Sequence, residues 1–215
     1  MKKIAVLLTF ALLVVGLVGC GAGIEPAVSA RDFNTRLTNM ELSSSARELL
    51  EISTGVIHAD RGDFADLDGW YTALGLLDRE ELRLQTFLDG REVEVALRLD
   101  DNGRVSRVGY SVNRNTRDLD EILELYFGYM PFDMIGENLR ISSFVGTEQV
   151  EVEDIDVANE KLVEAIYNNG RAQLIFAWDV ESRHGDEARI SFSFSLNWMP
   201  TGDFLVIQTI SFSLR

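Results

Sequence analysis

The chain has 215 residues, 46% of them hydrophobic, which is enough for one medium-sized domain or two small ones. Its 35 acidic residues outnumber its 20 basic residues, and the net charge of −15 argues against binding nucleic acid through a general electrostatic field. One cysteine and two histidines allow no internal disulfide and argue against a zinc site of the usual His and Cys composition.

Residues 1–19 have the layout of a secretory signal peptide. Lys2 and Lys3 give a short positive region, and residues 4–18 form an almost unbroken apolar run. This run is shorter than the ~20 apolar residues that a comfortable transmembrane helix needs. It leads into the tetrapeptide LVGC, which ends at Cys20.

This tetrapeptide resembles the lipobox of bacterial lipoproteins, in which a branched apolar residue, an apolar or small residue and a small residue precede cysteine. The resemblance covers residues 1–20 and implies cleavage before Cys20 and a diacylglycerol on the Cys20 thiol. Each buried methylene contributes ~0.8 kcal/mol, so two or three chains such as palmitate hold a protein firmly. The implied location is the outer face of the plasma membrane or, as Gly21 favours in a two-membrane envelope, the outer membrane.

The chain behind the signal peptide predicts a tether and two α+β halves. Residues 20–29 contain the lipidated cysteine and a short tether with Gly, Ala and Pro, which spans ~15–18 Å if it is flexible. Residues 30–147 predict the first half, and residues 148–215 predict the second. We expect the two halves to pack as one globular unit close to the bilayer.

Helical spacing and capping residues predict three helices before the first strands. Ser29 or Asp32 is placed to cap the first helix, and the second follows a run of serines and ends near Gly55. Residues 70–77 are apolar and predict a third, short helix. Alternation then predicts a hairpin-linked meander of three strands, at 82–88, 93–99 and 105–112.

The same succession recurs further along the chain. Asp118 is placed to begin a helix, residues 131–139 predict a short one, and residues 150–156 predict an edge strand or an extended connection. Asp156 is placed to cap the next helix, which ends near Gly170. A second meander of three strands follows, at 172–180, 190–198 and 204–214.

A helix followed by three hairpin-linked strands thus occurs twice, which predicts an α+β fold. We expect an antiparallel sheet built from two three-stranded meanders, with helices packed on one face. The repeated order is also compatible with an internal duplication of the helix-plus-meander unit, although the two halves share no clear residue identity.

An acidic loop at residues 58–69 is the candidate metal site, because calcium prefers clustered oxygens on a flexible loop. The candidate ligands are Asp60, Asp63, Asp66 and Asp68. Phe64 stands where an EF-hand loop needs an acidic residue, and the closing Glu of such a loop is absent. The competing interpretation is a solvated acidic loop, and the sequence indicates no cofactor besides calcium.

An aromatic stretch at residues 126–132 is the candidate partner-binding surface. Tyr126, Phe127, Tyr129 and Phe132 would form a contact patch for a partner if they are exposed. If these rings are buried, they instead cap the core where a helix ends on the sheet. The second interpretation is favoured by the position of the stretch after a predicted helix.

The last hairpin predicts a face rich in hydroxyl groups. If its strands pair as their alternation indicates, Ser193 lies opposite Thr209 and Ser191 lies opposite Ser211. Such a face could bind a glycan or another strand. It is also what the wet side of a one-sided antiparallel sheet looks like.

These features favour a non-enzymatic lipoprotein of the cell envelope that is anchored to the membrane and presents an acidic domain to a protein partner. The chain has no G-x-S-x-G sequence and no Gly-rich phosphate loop. A ligand- or calcium-binding lipoprotein is the alternative, and an envelope hydrolase that works through carboxylates is the third hypothesis. We expect no nucleic-acid partner.

Overall fold

The structure is a computed structural model that describes residues 25–39, 46–75, 78–88, 91–128, 131–145, 148–152, 154–183 and 185–215. The predicted signal peptide and its Cys20 lie outside the described residues, so both stay predictions. Within the part of the chain that is described, no helix has both the length and the apolar character needed to cross a membrane.

Four α-helices and nine strands occur among the described residues, which confirms the α+β class. The helices are α1 (Ala30–Thr38), α2 (Ala46–Gly55), α3 (Leu119–Phe127) and α4 (Ile155–Tyr167). The strands are β1 (Tyr71–Leu74), β2 (Glu80–Leu88), β3 (Arg91–Leu99), β4 (Val105–Thr116), β5 (Glu137–Val145), β6 (Glu148–Val152), β7 (Arg171–Glu181), β8 (Glu187–Trp198) and β9 (Phe204–Leu214). Short 3-10 helices lie at Arg61–Phe64 and Phe132–Met134.

The nine strands form one antiparallel sheet in the order β1-β2-β3-β4-β9-β8-β7-β5-β6. The two predicted meanders are β2-β3-β4 and β7-β8-β9, and the strand pairing confirms both of them. They meet where β4 pairs with β9, so the last strand of each meander lies at the centre of the sheet. A single sheet therefore contains both meanders.

One row of paired residues shows where the core lies against this sheet. The row crosses five adjacent strands through Val95, Tyr110, Ile210, Phe192 and Phe176, all of them buried. Because side chains alternate along a strand, paired residues point to the same side, which we call the buried face. Burying an apolar side chain of this size stabilises the fold by ~1.5–3 kcal/mol, so this row is a main source of stability.

Helices α2 and α3 contact the buried face. Ser53 of α2 forms a hydrogen bond of 2.8 Å between its Oγ and the hydroxyl of Tyr110. The ring of Tyr126, in α3, has its centroid 6.2 Å from that of Phe192 and 5.1 Å from that of Phe194. Aromatic pairs at such separations contribute ~0.5–1.5 kcal/mol beyond the area they bury, so α3 is anchored through its aromatic side chain.

The starts of the helices follow the predicted caps, with one correction. Ser29 caps α1 and Asp118 caps α3, each through a side-chain oxygen that accepts a backbone N–H. The prediction that Asp156 caps α4 is wrong, because Asp154 Oδ1 accepts the N–H of Val157 at 2.9 Å. Asp156 instead lies in the first turn, where its negative charge interacts favourably with the helix dipole.

The prediction of a short helix at residues 70–77 is also wrong. Residues 71–74 form β1, which pairs with β2 at the edge of the sheet. Tyr71 and Thr72 are residue types that fit a strand, and the open edge of β2 supplies the hydrogen-bond partners that a helix would have to supply internally. Tertiary pairing therefore decides the structure of this segment.

The helix predicted at residues 131–139 is reduced to the 3-10 turn Phe132–Met134, and β5 follows it. The strand was hard to recognise from the sequence because its polarity is inverted at residues 143 and 144. Ser143 is buried and pairs with Leu174 of the core, whereas Phe144 lies on the other side of the strand. An apolar residue outside and a hydroxyl inside conceal the alternation by which strands are recognised.

Candidate ligand-binding groove

The side of the sheet opposite the buried face is polar at its centre, and we call it the polar face. The predicted pairs Ser193–Thr209 and Ser191–Ser211 are confirmed by the register of β8 and β9. Ser111 of β4 extends the row, since its Oγ lies 2.9 Å from Thr209 Oγ1. These five side chains, which we call the hydroxyl floor, cover the middle of the sheet.

The hydroxyl floor is the bottom of a groove with a volume of about 460 Å³. Ligand pockets for small molecules commonly measure ~300–1,000 Å³, so the groove has the size of a small-molecule site. One wall comes from β5 and β7 and includes Phe144, Gln173 and Ile175. The opposite wall, which we call the charged wall, comes from β2, β3 and β4 and includes Glu81, Arg83, Glu94, Arg98 and Arg107.

The two carboxylates of the charged wall are already engaged by neighbouring side chains. Glu81, with a side chain only 7% exposed, accepts hydrogen bonds from Arg83 at 3.0 Å and from Arg98 at 3.4 Å. Glu94 accepts from Arg83 at 3.1 Å and from Gln85 at 3.0 Å. Burial works against the charge of Arg83, but its bonds to these carboxylates outweigh burial and raise its pKa.

Arg107 differs from the other two arginines of the charged wall. Its Nε is shut off from water and has no hydrogen-bond partner among the described residues. It lies directly opposite Arg98 in the pairing of β3 with β4, so two like charges face each other. Burial lowers the pKa of Arg107, the charge of Arg98 lowers it further, and the charge of Glu81 opposes them. Like charges placed opposite each other in a sheet destabilise it.

The charged wall therefore has an excess of positive charge in a protein that is acidic as a whole. Three arginines against two glutamates leave one positive charge at the groove, whereas the whole chain carries −15. Both glutamates are held in ion pairs, so Arg107 is the group whose charge is least compensated. An anion bound at this wall would meet an attractive local field.

The side chains that line the groove are of types that can hydrogen-bond a polar ligand. An arginine guanidinium donates paired hydrogen bonds to a carboxylate or a phosphate, and hydroxyl groups both donate and accept. General acid–base catalysis instead needs a group that is free to exchange a proton with a substrate. Among the described residues that line the groove, the carboxylates are occupied by arginines, and no histidine, cysteine or lysine is present.

A larger groove of about 690 Å³ lies at one end of the sheet, and its main charged group is structural. Asp179 accepts a hydrogen bond from Asn138 at 3.0 Å and forms ion pairs with Arg189 at 2.9 Å and Arg215 at 3.1 Å. Burial favours a higher pKa for Asp179, but these three partners lower it below the usual value. The carboxylate of Asp179, in β7, is therefore tied to β5, to β8 and to the residue that follows β9.

The four aspartates proposed as metal ligands lie on the exposed loop around the first 3-10 helix. Asp60 forms an ion pair with Arg104 at 3.5 Å, and Asp63 accepts the backbone N–H of Asp60 at 2.9 Å. Asp66 and Asp68 are exposed. In the part of the chain that the structure describes, no three His, Cys, Asp or Glu residues are grouped so that they could hold a metal ion. Calcium binding stays a prediction.

The candidate aromatic stretch divides between the core and the surface. Tyr126 is buried, its hydroxyl donates to Asn159 at 2.9 Å, and burial raises its pKa. Phe127 is 47% exposed. Tyr129 and the side chain of Phe132 lie outside the described residues. Within this stretch, Phe127 is thus the described side chain that offers contact area to a partner.

The sequence pointed to the hydroxyl floor but not to the charged wall. In β2, β3 and β4 the wall residues are the outward members of an alternating pattern, and that pattern is typical of a solvated face. The pairing of Arg98 with Arg107 depends on the irregular register near Leu99, which a sequence alone does not give. The sequence signal that could have indicated the charged wall is the presence of three arginines at outward positions of adjacent strands.

No protein-family model matches the chain, and neither a curated protein nor a solved structure matches it. The groove, the charges of its wall and the pattern of the N-terminal residues are therefore the observations from which a function can be inferred.

Proposed function

We propose that this protein is a non-enzymatic, lipid-anchored binding protein of the cell envelope, which holds its ligand in the groove on the polar face. The observation that carries the proposal is Arg107, a half-buried cation that lines the groove, faces Arg98 and has no hydrogen-bond partner for its Nε among the described residues. Arrangements that lower the stability of a fold are expected where function requires them. The groove beside it supplies space and polar partners.

The anchor belongs to the proposal and is supported by the sequence. Lys2, Lys3, the apolar run and the LVGC tetrapeptide follow the order of a lipoprotein signal peptide, and Cys20 is the cysteine that would carry the lipid. The net charge of −15 would repel the domain from an anionic bilayer, so lipid chains rather than surface charge would provide adhesion. The expected location is extracytoplasmic.

The arrangement of the sheet also belongs to the proposal. We infer that the helices cover the buried face and leave the polar face accessible, as the contacts of α2 and α3 with Tyr110 and Phe192 support. We also infer that the two helix-plus-meander units are a duplication, because their last strands, β4 and β9, pair at the centre of the strand order. A groove across that central pair would then be built by both units.

The test of this function is native mass spectrometry of the lipidated protein, purified in mild detergent from its own envelope. We expect a mass increase from the lipid that is lost in Cys20→Ser, and a bound small molecule that is lost in Ser193→Arg, which fills the groove. Thr35→Arg places the same side chain on the exposed surface of α1 and should keep the ligand. A protein that carries no ligand in any form would contradict the proposal.

A second candidate function, a protein-interaction module, is favoured by an exposed apolar stripe on α3. Leu119 and Phe127 are 43% and 47% exposed, and the partly buried Leu123 lies between them at helical spacing. Exposed apolar residues in a row are typical of contact surfaces. Phe127→Asp should abolish co-purification of a stoichiometric protein partner, whereas the neighbouring Glu124→Asp should not. Recovery of the same partner with both variants would argue against this surface.

A further inference from the structure

Among the described residues, Arg107 is the arginine of the charged wall that forms no ion pair, whereas Arg83 and Arg98 both do. Each carboxylate oxygen of Glu81 and Glu94 accepts a hydrogen bond from within the protein, mostly from Arg83 and Arg98. The Nε–H of Arg107 has no acceptor among the described residues. A guanidinium stays charged in proteins and Arg107 lines the groove, so its charge favours a carboxylate or a phosphate as partner.

The rest of the groove restricts the ligand further. Beyond the charged wall, the floor presents the hydroxyls of Ser111, Ser191, Ser193, Thr209 and Ser211. Hydroxyl groups act as donors and acceptors at once, and the best match for a surface of this kind is a molecule that also carries several hydroxyls. An anion without hydroxyl groups would use few of the hydrogen-bonding groups of this floor.

The wall opposite the arginines is largely apolar. It includes the apolar side chains of Phe144 and Ile175, together with the polar Gln173. A sugar ring has polar edges and an apolar side of C–H groups, and aromatic and apolar side chains pack well against such a side. The volume of about 460 Å³ holds one or two rings, which is too little for a folded protein domain.

We propose that the groove binds a small acidic sugar, in which a carboxylate pairs with Arg107, the ring hydroxyls bond to the hydroxyl floor and the C–H side of the ring packs on Phe144. This inference rests on the proposed function, since it names the ligand class of the same groove. The chain as a whole carries −15, so the positive excess of the charged wall distinguishes this wall from the protein's overall charge.

The test is calorimetric titration of the full lipidated chain with glucuronate, glucose, inorganic phosphate and a short polyglutamate peptide. We expect glucuronate to bind, and glucose and phosphate each to bind at least about tenfold more weakly, because each lacks one half of the recognised chemistry. Arg107→Gln should weaken glucuronate by at least about tenfold, whereas Arg31→Gln, which removes the same charge from the exposed side of α1, should not.

Several results would overturn the inference. If phosphate binds as tightly as glucuronate, the groove is a simple anion site. If glucose binds as tightly as glucuronate, the groove does not recognise charge. Tighter binding of polyglutamate would show a peptide site. Failure of all four probes would also overturn it. The mass-spectrometric experiment separates this failure from that of the proposed function: a bound molecule that Ser193→Arg removes would keep the function and exclude only the acidic sugar.

Discussion

The two faces of the sheet are built from the same strands but differ in composition: one is apolar and buried, and the other is polar and lines the groove. In β8, Phe192 is fully buried, whereas the adjacent Ser191 and Ser193 line the groove. In β4, Tyr110 is buried with its hydroxyl satisfied by Ser53, whereas Arg107 lies on the polar face opposite a like charge. The buried face is explained by stability alone. The polar face contains an arrangement that stability does not explain, which is why we assign the function to it.

The largest effect expected from this contrast is the loss of a core ring. Phe192→Ala should lower the free energy of unfolding by ~3–5 kcal/mol, because it removes a fully buried side chain from the centre of the sheet and leaves a cavity. Ser193 is the next residue of β8 and lies on the polar face. Ser193→Ala should change the free energy of unfolding by less than ~0.5 kcal/mol. Urea denaturation of both variants measures the difference, and comparable losses would break the distinction between the faces.

The next largest effect concerns the carboxylate that holds the charged wall together. Glu81→Gln leaves Arg83 and Arg98 without their shared counter-charge and should cost ~2–3 kcal/mol of unfolding free energy. The adjacent Glu80 pairs with Arg61 at 2.8 Å, but both side chains are more than 40% exposed, so Glu80→Gln should cost less than ~1 kcal/mol. A larger loss for Glu80→Gln in chemical denaturation would contradict the assigned role of Glu81.

A pH-dependent effect is expected at the end of the sheet. Because the pKa of Asp179 is lowered in the folded protein, its contribution to stability is present above the unfolded value of ~3.9 and is lost as the pH falls through the folded pKa. Asp179→Asn should therefore destabilise the protein at pH 7, and the difference from wild type should shrink below about pH 4. Asp66→Asn, on the exposed loop, is the matched control in urea denaturation at both pH values. A difference that stays constant with pH would exclude this role for the carboxylate.

The smallest effect has an unusual sign. Arg107→Gln removes one of two like charges that face each other, so it should raise the free energy of unfolding of the ligand-free protein by ~0.2–1 kcal/mol. Arg98→Gln, which breaks the bond to Glu81, should lower it instead. Chemical denaturation at low salt checks both signs. A loss of stability in Arg107→Gln would mean that Arg107 belongs to the structure rather than to a site.

The buried face could be predicted from the sequence much better than the polar face. Alternation in β7, β8 and β9 gave the core row and the pairing of Ser193 with Thr209, because apolar burial repeats every second residue. It failed for β5, where Ser143 is inside and Phe144 is outside, and for β1, which exists through its pairing with β2. The groove was missed because it depends on how strands distant in sequence lie together.

Thermal unfolding of wild type and Arg107→Gln, each with and without glucuronate, tests the central claim most directly. A ligand that binds only the folded protein raises its melting temperature. We predict that the ligand-free variant melts at a higher temperature than ligand-free wild type, and that glucuronate raises the melting temperature of wild type more than that of the variant. A ligand-free variant that melts below wild type, or an equal response of both proteins to glucuronate, would contradict the assignment of the polar face as a binding site centred on Arg107.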